Sequence, residues 1–350
     1  MGFDGSEVSP GLRQMLTMFQ PGGVILFARN ILDARQTWEL LAACGEIVET
    51  PMFLCVDMEG GTVDRLKNAI VPAPSVEAVA RTNDQKIFRA HGRLIGEEVR
   101  ALGFNTDFAP VLDLGFAASR SVLTSRTVSD DPKQTVVYAR EFLKGLREAK
   151  VLGCGKHFPG LGEANLDTHQ MLPLIAKSWK SLWAEDLHPY RALRREMAFV
   201  MVAHAAYPAV TKGGIPASLS TKWMSEILRE KIGYHGLVVS DDLEMGGVQA
   251  AAPIDEAAVE TLRAGADMFL VCHNEAHVWR TYEAVAREAE HDPRFARQVA
   301  RAAGRVRAFK KRMKNLLKII APRPSTAAVR KLRQQMQKFA DQVQKAAVVL

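Results

Sequence analysis

Short apolar runs alternate with longer amphipathic stretches along most of the chain. The runs are rich in Val, Phe and Leu, which is typical of buried strands, and they occupy 22–27, 53–57, 104–113, 151–157, 199–204, 236–241 and 268–272. Apolar positions at helical spacing fill the segments between them, at 33–47, 84–102, 132–149, 176–197, 220–232, 254–265 and 275–290. Continuously apolar strands separated by helices indicate a parallel sheet that is covered on both faces.

The number and spacing of these units predict a (β/α)8 barrel of the TIM type. Seven runs and an apolar stub at 1–3 make eight strands, and about 290 residues suit that fold. The first strand is expected to be short or truncated, because only the stub supplies it. A doubly wound open sheet is the alternative fold, although no GxGxxG turn supports it.

The composition is that of a globular protein, with 47% apolar and 24% charged residues, and it excludes a mostly disordered or fibrous chain. No apolar run approaches the ~18 residues that a membrane span needs, and the first residues lack the pattern of a secretory signal. The four cysteines lie far apart and form no CxxC pair. We therefore expect neither a disulfide framework nor a zinc knuckle, and a location in the reducing cytoplasm.

Charge divides the chain into two parts. The overall net charge is +7, but residues 294–350 contain 16 Lys or Arg and one acidic residue, so that 1–293 carry a net charge of −8. We predict a barrel domain at 1–293 and a basic helical C-terminal extension at 294–350, broken at the Ala-Pro-Arg-Pro segment 321–324. A basic helix can contact nucleic acid or anionic lipid, but it is more often a solvated helix whose apolar stripe packs on the body. We accordingly expect no nucleic-acid partner.

Polar residues stand at or just past the ends of six separate predicted strands. They are Asp57, Asp113, Lys156 with His157, His204, Asp241 and His273. In a (β/α)8 barrel the carboxyl ends of the strands form one rim, where the active sites of such enzymes lie. One polar strand end would mean little, but six that converge on one rim indicate an enzyme.

The sequence lacks the motifs that are typical of several kinds of catalytic site. No HxH or HExxH spacing places two metal ligands on one element, and neither a GxSxG elbow nor a P-loop is present. We therefore expect no metal and no other cofactor. Acid–base and nucleophilic catalysis by Asp and His side chains remains.

Two segments narrow the chemistry further. GKHFPGLGEANLDTHQMLP (155–173) leaves a predicted strand, and VVSDDLEMGG (238–247) ends another with paired carboxylates. They resemble the family 3 glycoside hydrolases, specifically the bacterial β-N-acetylglucosaminidases, whose signature is KHFPGxG, then DxH, then a strand that ends in SD. Further matches are PGGVILFARN (21–30), DMEGGTVDRL (57–66), FNTDFAPVLDL (104–114), SRTVSDDP (125–132) and MVAHAAYPA (201–209). The resemblance covers about 1–290.

The resemblance implies a retaining hydrolase that forms a covalent glycosyl-enzyme, with Asp241 as the nucleophile. Asp242 is the near alternative. In an extended strand Asp241 shares a face with Leu237 and Val239, while Asp242 points to the other face. The sequence leaves open which face looks into the barrel.

The resemblance also assigns the remaining site residues. His169 corresponds to the general acid/base and Asp167 to its partner, a departure from the usual pair of glycosidase carboxylates. Asp57 corresponds to the carboxylate that accepts sugar hydroxyls. The other positions that match the sugar-contacting residues of the family are Arg65, Arg126, Lys156 and His157. Met201 and His204 line the same rim and are expected first as packing residues, with contact to the sugar as the second reading.

The function implied is an exo-acting β-N-acetylglucosaminidase that removes terminal β-linked N-acetylglucosamine from glycans, in particular from peptidoglycan (muropeptide) fragments. The alternatives within the family are an N-acetylglucosaminide phosphorylase and a β-glucosidase-type activity. We expect a monomer or weak dimer.

Overall fold

The computed structural model describes residues 1–168, 171–318 and 321–348. Within these ranges the strands are β1 (Gly23–Leu26), β2 (Phe53–Val56), β3 (Met58–Gly60), β4 (Val63–Asp64), β5 (Thr106–Asp107), β6 (Leu152–Phe158), β7 (Phe199–Val202), β8 (Leu237–Asp242) and β9 (Met268–Leu270). β3 and β4 form a small antiparallel hairpin. The other seven form one parallel sheet in the order β1-β2-β5-β6-β7-β8-β9.

The two edges of this sheet are joined by the first residues of the chain. The Met1 nitrogen donates to the Gly23 carbonyl and the Ile25 N–H donates to the Met1 carbonyl, both at 3.0 Å. On the other side, the Gly2 N–H donates to the Val271 carbonyl at 2.8 Å. Residues 1–3 thus occupy the place of a short eighth strand. The strand order follows the chain without a reversal, which confirms the barrel and excludes the doubly wound sheet.

Helices cover the outside of the barrel. They are α1 (Pro10–Phe19), α2 (Ala34–Ile47), α3 (Val76–Ala80), α4 (Gln85–Ala101), α5 (Arg120–Leu123), α6 (Pro132–Glu148), α7 (Trp179–Ala184), α8 (Leu187–Leu193), α9 (Gly246–Gln249), α10 (Ile254–Ala264), α11 (Glu275–His291), α12 (Pro293–Arg312), α13 (Lys314–Lys318) and α14 (Thr326–Val348), with a π-helix at Lys222–Lys231. Three of them, α1, α6 and α12, begin with a Ser or Asp cap followed by proline, an arrangement that satisfies a free N–H and presets the first turn.

Three predicted elements differ from the structure. The run 104–113 forms only the short β5, because Pro110 lacks the N–H that a longer ladder needs; a single bridge joins Val111 to Lys156. The helix predicted at 176–197 is divided into α7 and α8, and that at 220–232 is a π-helix. Neither α1 nor the β3–β4 hairpin was predicted.

Apolar side chains pack on both sides of the sheet. One cluster lies inside the barrel and includes Phe53, Phe108, Phe199, Leu237 and Val239. A larger cluster lies between the sheet and the helices. No helix in the described ranges is both long and apolar enough to cross a membrane.

The basic C-terminal segment packs on the barrel at two places. Phe309 of α12 lies 6.0 Å from Phe53 and 5.9 Å from Phe199, ring centroid to ring centroid, and these two residues begin β2 and β7. α12 therefore covers the amino-terminal end of the barrel. α14 buries Met336 and Phe339, and the Phe339 ring stacks on His91 of α4 at 5.7 Å. The break predicted at 321–324 separates α13 from α14.

Candidate active site

On the inward face of several strands, apolar side chains in the barrel interior are followed by a polar side chain at the carboxyl-terminal rim. Phe53 and Cys55 of β2, Leu152 and Cys154 of β6, and Leu237 and Val239 of β8 all belong to the interior cluster. Because side chains alternate between the faces of a strand, the next positions on the same face are Asp57, Lys156 and Asp241. All three line one cavity of about 260 Å³, near the lower end of the ~300–1,000 Å³ typical of ligand pockets.

The interior cluster therefore answers the question that the sequence left open for β8. Asp241 lies on the face that looks into the barrel, with Leu237 and Val239 beneath it. Asp242 follows on the opposite face of the strand; it also borders the cavity, and its Oδ2 lies 3.4 Å from His273 Nε2.

A buried ion network forms one wall of the cavity. Lys156 Nζ donates to Asp57 Oδ1 at 2.7 Å and to Glu59 Oε1 at 2.6 Å. Arg126 holds Glu59 through two hydrogen bonds, from Nε to Oε2 at 2.8 Å and from Nη2 to Oε1 at 2.9 Å. Glu59 and Lys156 are 1% and 2% exposed. Such charges are tolerated in the interior only because each is paired and hydrogen-bonded.

These pairings keep the network ionised. Burial favours the neutral form of each group, but the charges of Arg126 and Lys156 hold the pKa of Glu59 well below its usual range. Burial likewise opposes the charge of Lys156, but Asp57 and Glu59 raise the pKa of its ammonium group above the usual value. The cavity thus presents a fixed ammonium and guanidinium beside fixed carboxylates, an arrangement suited to binding several hydroxyl groups.

His157 is held in one orientation by Asp113. The imidazole Nδ1 lies 2.7 Å from Asp113 Oδ2, and Asp113 Oδ1 also accepts the Leu161 N–H at 2.8 Å. Arg126 Nη2, which can only donate, faces Nε2 at 3.5 Å, so Nε2 is the acceptor and Nδ1 carries the hydrogen that points to Asp113. Asp113 was noted as a strand-end residue but not assigned to the site.

The two consecutive carboxylates of β8 differ in protonation. Burial works to raise the pKa of Asp241, but His157, His204 and a hydrogen bond from the Asp242 N–H outweigh it and lower that pKa below its usual value. Burial raises the pKa of Asp242 to about 7, and the nearby charges of Glu244 and Asp241 add to the effect. Paired carboxyl groups with separated pKa values are typical of sites in which they have different roles.

His204 lies behind β8 rather than on the cavity wall. It is completely buried and is not among the lining residues. Its Nε2 lies 2.9 Å from the Asp242 carbonyl, which only accepts, so Nε2 carries a hydrogen, and Nδ1 lies 2.7 Å from the Ser218 hydroxyl oxygen. These contacts agree with the packing role expected for His204, and its contact with the sugar stays a prediction.

The remaining predicted residues have different positions. Met201 and Arg65 line the cavity, and within the described part of the chain the buried Nε of Arg65 has no hydrogen-bond partner. Asp167 also lines the cavity, from the exposed loop that follows β6. His169 lies outside the described residues.

Two glutamates that were not assigned from the sequence complete the site. Glu59 joins Arg126 to Lys156, and Gly60 after it has a φ of +85°, where an added Cβ would lie 2.2 Å from the Pro74 carbonyl oxygen. Glu244 accepts the N–H groups of residues 272, 273 and 274 and pairs with His277 at 2.7 Å. Both glutamates lie within motifs quoted in the sequence analysis, DMEGGTVDRL and VVSDDLEMGG, and this position could have identified them as site residues.

Among the described residues, no three His, Cys, Asp or Glu side chains are grouped so that they could hold a metal ion. The carboxylates of Asp57 and Glu59 are instead paired with Lys156, and Glu59 also with Arg126.

Comparisons with known proteins agree on one family. Residues 6–308 match the model of the glycosyl hydrolase family 3 N-terminal domain. A β-hexosaminidase from Pseudomonas aeruginosa is 38% identical over 265 residues, which are 75% of this chain and 79% of that protein.

Solved structures agree with the sequence matches. A glycoside hydrolase family 3 β-N-acetylglucosaminidase from Paenibacillus superposes with a TM-score of 0.90 at 30% identity and covers 97% of this chain. This chain spans 66% of that longer one, slightly less than two thirds. Native NagZ from Neisseria gonorrhoeae has a TM-score of 0.77 at 28% identity, with 97% of both chains covered.

Proposed function

We propose that this chain, which belongs to glycosyl hydrolase family 3 and is a glycoside hydrolase, acts as a retaining exo-β-N-acetylglucosaminidase. The observation that carries the proposal is the position of Asp241. It is an ionised carboxylate on the interior face of β8, in the same cavity as the Lys156–Asp57 pair. The names of the relatives above support the choice of sugar.

In the first step the Asp241 carboxylate attacks the anomeric carbon, and the bond from that carbon to the leaving-group oxygen breaks. His169 gives its proton to this oxygen, so the aglycone departs as an alcohol and a covalent glycosyl-aspartate remains. The low pKa of Asp241 supports this role, because the nucleophile must be ionised at neutral pH.

In the second step His169 removes a proton from a water molecule, which attacks the same carbon. The ester bond to Asp241 breaks and N-acetylglucosamine leaves with its β configuration retained. Asp167 holds the His169 imidazole in the required tautomer and stabilises its protonated form. The position of Asp167 on the cavity wall is consistent with this assignment.

The sugar ring is bound by the ion network. Asp57 accepts hydroxyl groups, while Lys156, Arg126, His157 and Arg65 supply N–H donors around it. The cavity is small and is closed below by apolar interior side chains, among them Ile25 and Leu270. A closed pocket of this size suits one sugar ring at the end of a glycan, which supports exo action.

We further propose that the natural substrates are peptidoglycan fragments and that the enzyme works in the cytoplasm. All four cysteines are free thiols buried in the fold, as is usual in a reducing compartment. Burial raises the pKa of Cys44 and Cys55 to about 12, so these thiols stay neutral and unreactive.

Hydrolysis of 4-nitrophenyl glycosides tests the proposal. The β-N-acetylglucosaminide should be cleaved much faster than the β-glucoside, and proton NMR should show the β anomer of the free sugar first. Asp241→Asn should abolish the signal and Asp242→Asn should retain it. Release of the α anomer first, or preference for the β-glucoside, would contradict the proposal.

Adding inorganic phosphate to the same assay separates the hydrolase from the phosphorylase. A hydrolase gives free N-acetylglucosamine at an unchanged rate. Accumulation of N-acetylglucosamine 1-phosphate would show that phosphate replaces water in the second step. Defined muropeptide fragments, analysed by mass spectrometry, then identify the aglycone.

A further inference from the structure

A second and larger cavity, of about 530 Å³, lies at the opposite, amino-terminal end of the barrel. Its walls are mostly apolar: interior side chains such as Phe53, Phe108 and Phe199 meet Tyr282 of α11 and Ala303 and Val306 of α12. The interior of such a barrel is ordinarily filled by side chains, so a void of this size is unusual. Its volume falls within the range of small-molecule sites.

Lys310 is a buried cation on the cavity wall for which the described residues provide no counter-ion. Lys310 of α12 is 7% exposed, and its Nζ lies 5.2 Å from the centroid of the Phe53 ring. Within the described ranges, no carboxylate lies close enough to pair with this ammonium group. The Cys55 thiol, which acts electrostatically on Lys310, is neutral because burial raises its pKa to about 12.

Asp267, an acidic side chain on the cavity wall, is already paired with two arginines. Asp267 pairs through one oxygen with Arg229 and through the other with Arg305, and it also accepts the Val238 N–H at 2.8 Å. Lys310 is therefore left with an aromatic face as its main electrostatic partner. Arg307, an exposed residue of the same helix, adds a second positive charge at the mouth.

An unpaired charge in an apolar site is costly, and its cost falls when an anion enters. Burial lowers the pKa of the Lys310 ammonium to about 8, so that much of it still carries its proton at neutral pH. The amino group of Met1 also borders the cavity, but it donates to the Gly23 carbonyl at 3.0 Å and burial lowers its pKa. Lys310 thus supplies the main buried positive charge, which matches a ligand with a single negative charge. The apolar walls match a hydrocarbon body, because dry apolar cavities bind apolar molecules.

We propose that this cavity binds an amphiphilic monocarboxylate, with its carboxylate on Lys310 Nζ and its hydrocarbon chain between the barrel interior and α12. The site is distinct from the catalytic cavity, although Ile25 and Leu270 line both. It does not rest on the proposed function, since neither of the described residues assigned to catalysis, Asp241 and Asp167, lines it.

Calorimetric titration of the full chain with decanoate tests this site. The titration is made below the critical micelle concentration and with N-acetylglucosamine present at saturation, so that the catalytic cavity is occupied. Wild type should bind one decanoate. Lys310→Met keeps the length of the side chain without its charge and should weaken binding roughly 10- to 100-fold, as expected for a charge-assisted hydrogen bond. The matched control Lys311→Met changes an exposed neighbour and should bind as wild type.

Two further experiments test the contributions of the carboxylate and of the hydrocarbon chain separately. Decanol should bind weakly and equally to wild type and Lys310→Met, which also shows that the variant is folded. Ala303→Phe fills the cavity and should remove the binding of both compounds. Equal affinity of wild type and Lys310→Met for decanoate, displacement by N-acetylglucosamine, or no decanoate binding by wild type would each overturn the proposal.

Discussion

The consecutive carboxylates Asp241 and Asp242 illustrate how one position along a strand sets the chemistry of a side chain. Asp241 faces the interior with His157 and Lys156 nearby, and its pKa is lowered. Asp242 faces the other way, is 8% exposed, and has a pKa of about 7 because of burial and the charges of Glu244 and Asp241. The first is therefore ready to act as a nucleophile at neutral pH and the second is partly protonated.

Asp241→Asn should lower kcat by at least ~10⁴-fold, because the neutral amide cannot form the glycosyl ester. The fold and the Kd for N-acetylglucosamine should change little, since Asn has nearly the same shape. A slow fluorinated substrate should label the peptide that contains Asp241 in wild type, as read by mass spectrometry. Labelling of Asp242, or an unlabelled protein, would contradict the assignment.

Asp242→Asn should change how stability depends on pH. The pKa of this carboxyl is 3.8 when unperturbed and about 7 in the fold. Between these values the folded protein holds a proton that the unfolded chain releases. The free energy of unfolding that Asp242 contributes therefore falls as the pH rises from about 4 to 7, by up to ~4 kcal/mol.

Urea denaturation from pH 4 to pH 8 measures this contribution. The stability of Asp242→Asn relative to wild type should rise across that range and level off above about pH 7. The control Asp130→Asn changes an exposed carboxylate and should give a curve parallel to that of wild type. A parallel curve for Asp242→Asn would show that the carboxyl is ionised at pH 5.

Arg126→Met should destabilise the fold by about 3 kcal/mol and raise KM, because Glu59 would then have Lys156 as its remaining partner in a dry site. Arg140→Met breaks a more exposed pair with Glu196 and should cost less than about 1 kcal/mol. Thermal unfolding and Michaelis–Menten kinetics give both quantities. Similar losses of stability in the two variants would argue against a special network at the site.

Most residues of the site lie at the carboxyl-terminal ends of strands. The carboxyl ends of β2, β6 and β8 supply Asp57, Lys156 and Asp241, and the β3 strand supplies Glu59. The loop after β6 carries Asp167 to the same cavity. Strands thus provide the rigid positions and a loop adds a further carboxylate, as is common in barrels of this type.

His169→Ala should slow natural substrates more than 4-nitrophenyl substrates in the first step, because an activated phenol leaves without a proton. Azide should restore turnover of the activated substrate, since it attacks the glycosyl-enzyme without a general base. Asp167→Ala should lower the rate by about 10² to 10⁴. Steady-state kinetics with both substrate classes gives the comparison.

Glu163→Ala is the matched control within this loop, because Glu163 contacts Lys177 rather than the cavity. Its rate should stay close to wild type. Equal slowing of both substrate classes by His169→Ala, without an effect of azide, would remove His169 from the acid/base role.

The complete molecule combines an acidic barrel with a basic C-terminal segment. α12 covers the amino-terminal end of the barrel, and the family match at 6–308 includes most of this helix. α14 lies farther along and packs Met336, Phe339 and Val343 into the core cluster near His91. The domain boundary at residue 293 therefore remains a proposal that is based on charge and sequence pattern. The two helices differ in where they pack, α12 on the end of the barrel and α14 beside His91.

Truncation after Pro322 should leave kcat/KM within about threefold of wild type at low temperature, because no described side chain of α14 lines the cavity. The melting temperature should fall, because three buried apolar side chains are lost. Each loss should lower the free energy of unfolding by no more than about 5 kcal/mol. Truncation after Asp292 removes Phe309 from the barrel end and should prevent folding. Circular dichroism melts and kinetics below the melting temperature separate these effects. A tenfold loss of rate in the folded shorter chain would mean that α14 shapes the site.

Local features of this protein could be predicted from its sequence because their causes are local. Apolar runs and the helical spacing of the segments between them indicated most strands and helices within a few residues, and the strand ends indicated the rim. The period of two placed Asp241 on the same face as Leu237 and Val239. The motifs indicated the family, which the comparisons confirmed.

The inward direction of that face, and the partners of each polar group, depended on the packed barrel. Alternation along a strand says which residues share a side, but only the neighbouring strands and helices determine which side is the interior. Glu59, Arg126 and Lys156 come from distant segments, and His204 turns away to Ser218 and β8 although it also stands at a strand end. Long-range burial and pairing set these positions, and no periodicity in the sequence carries that information.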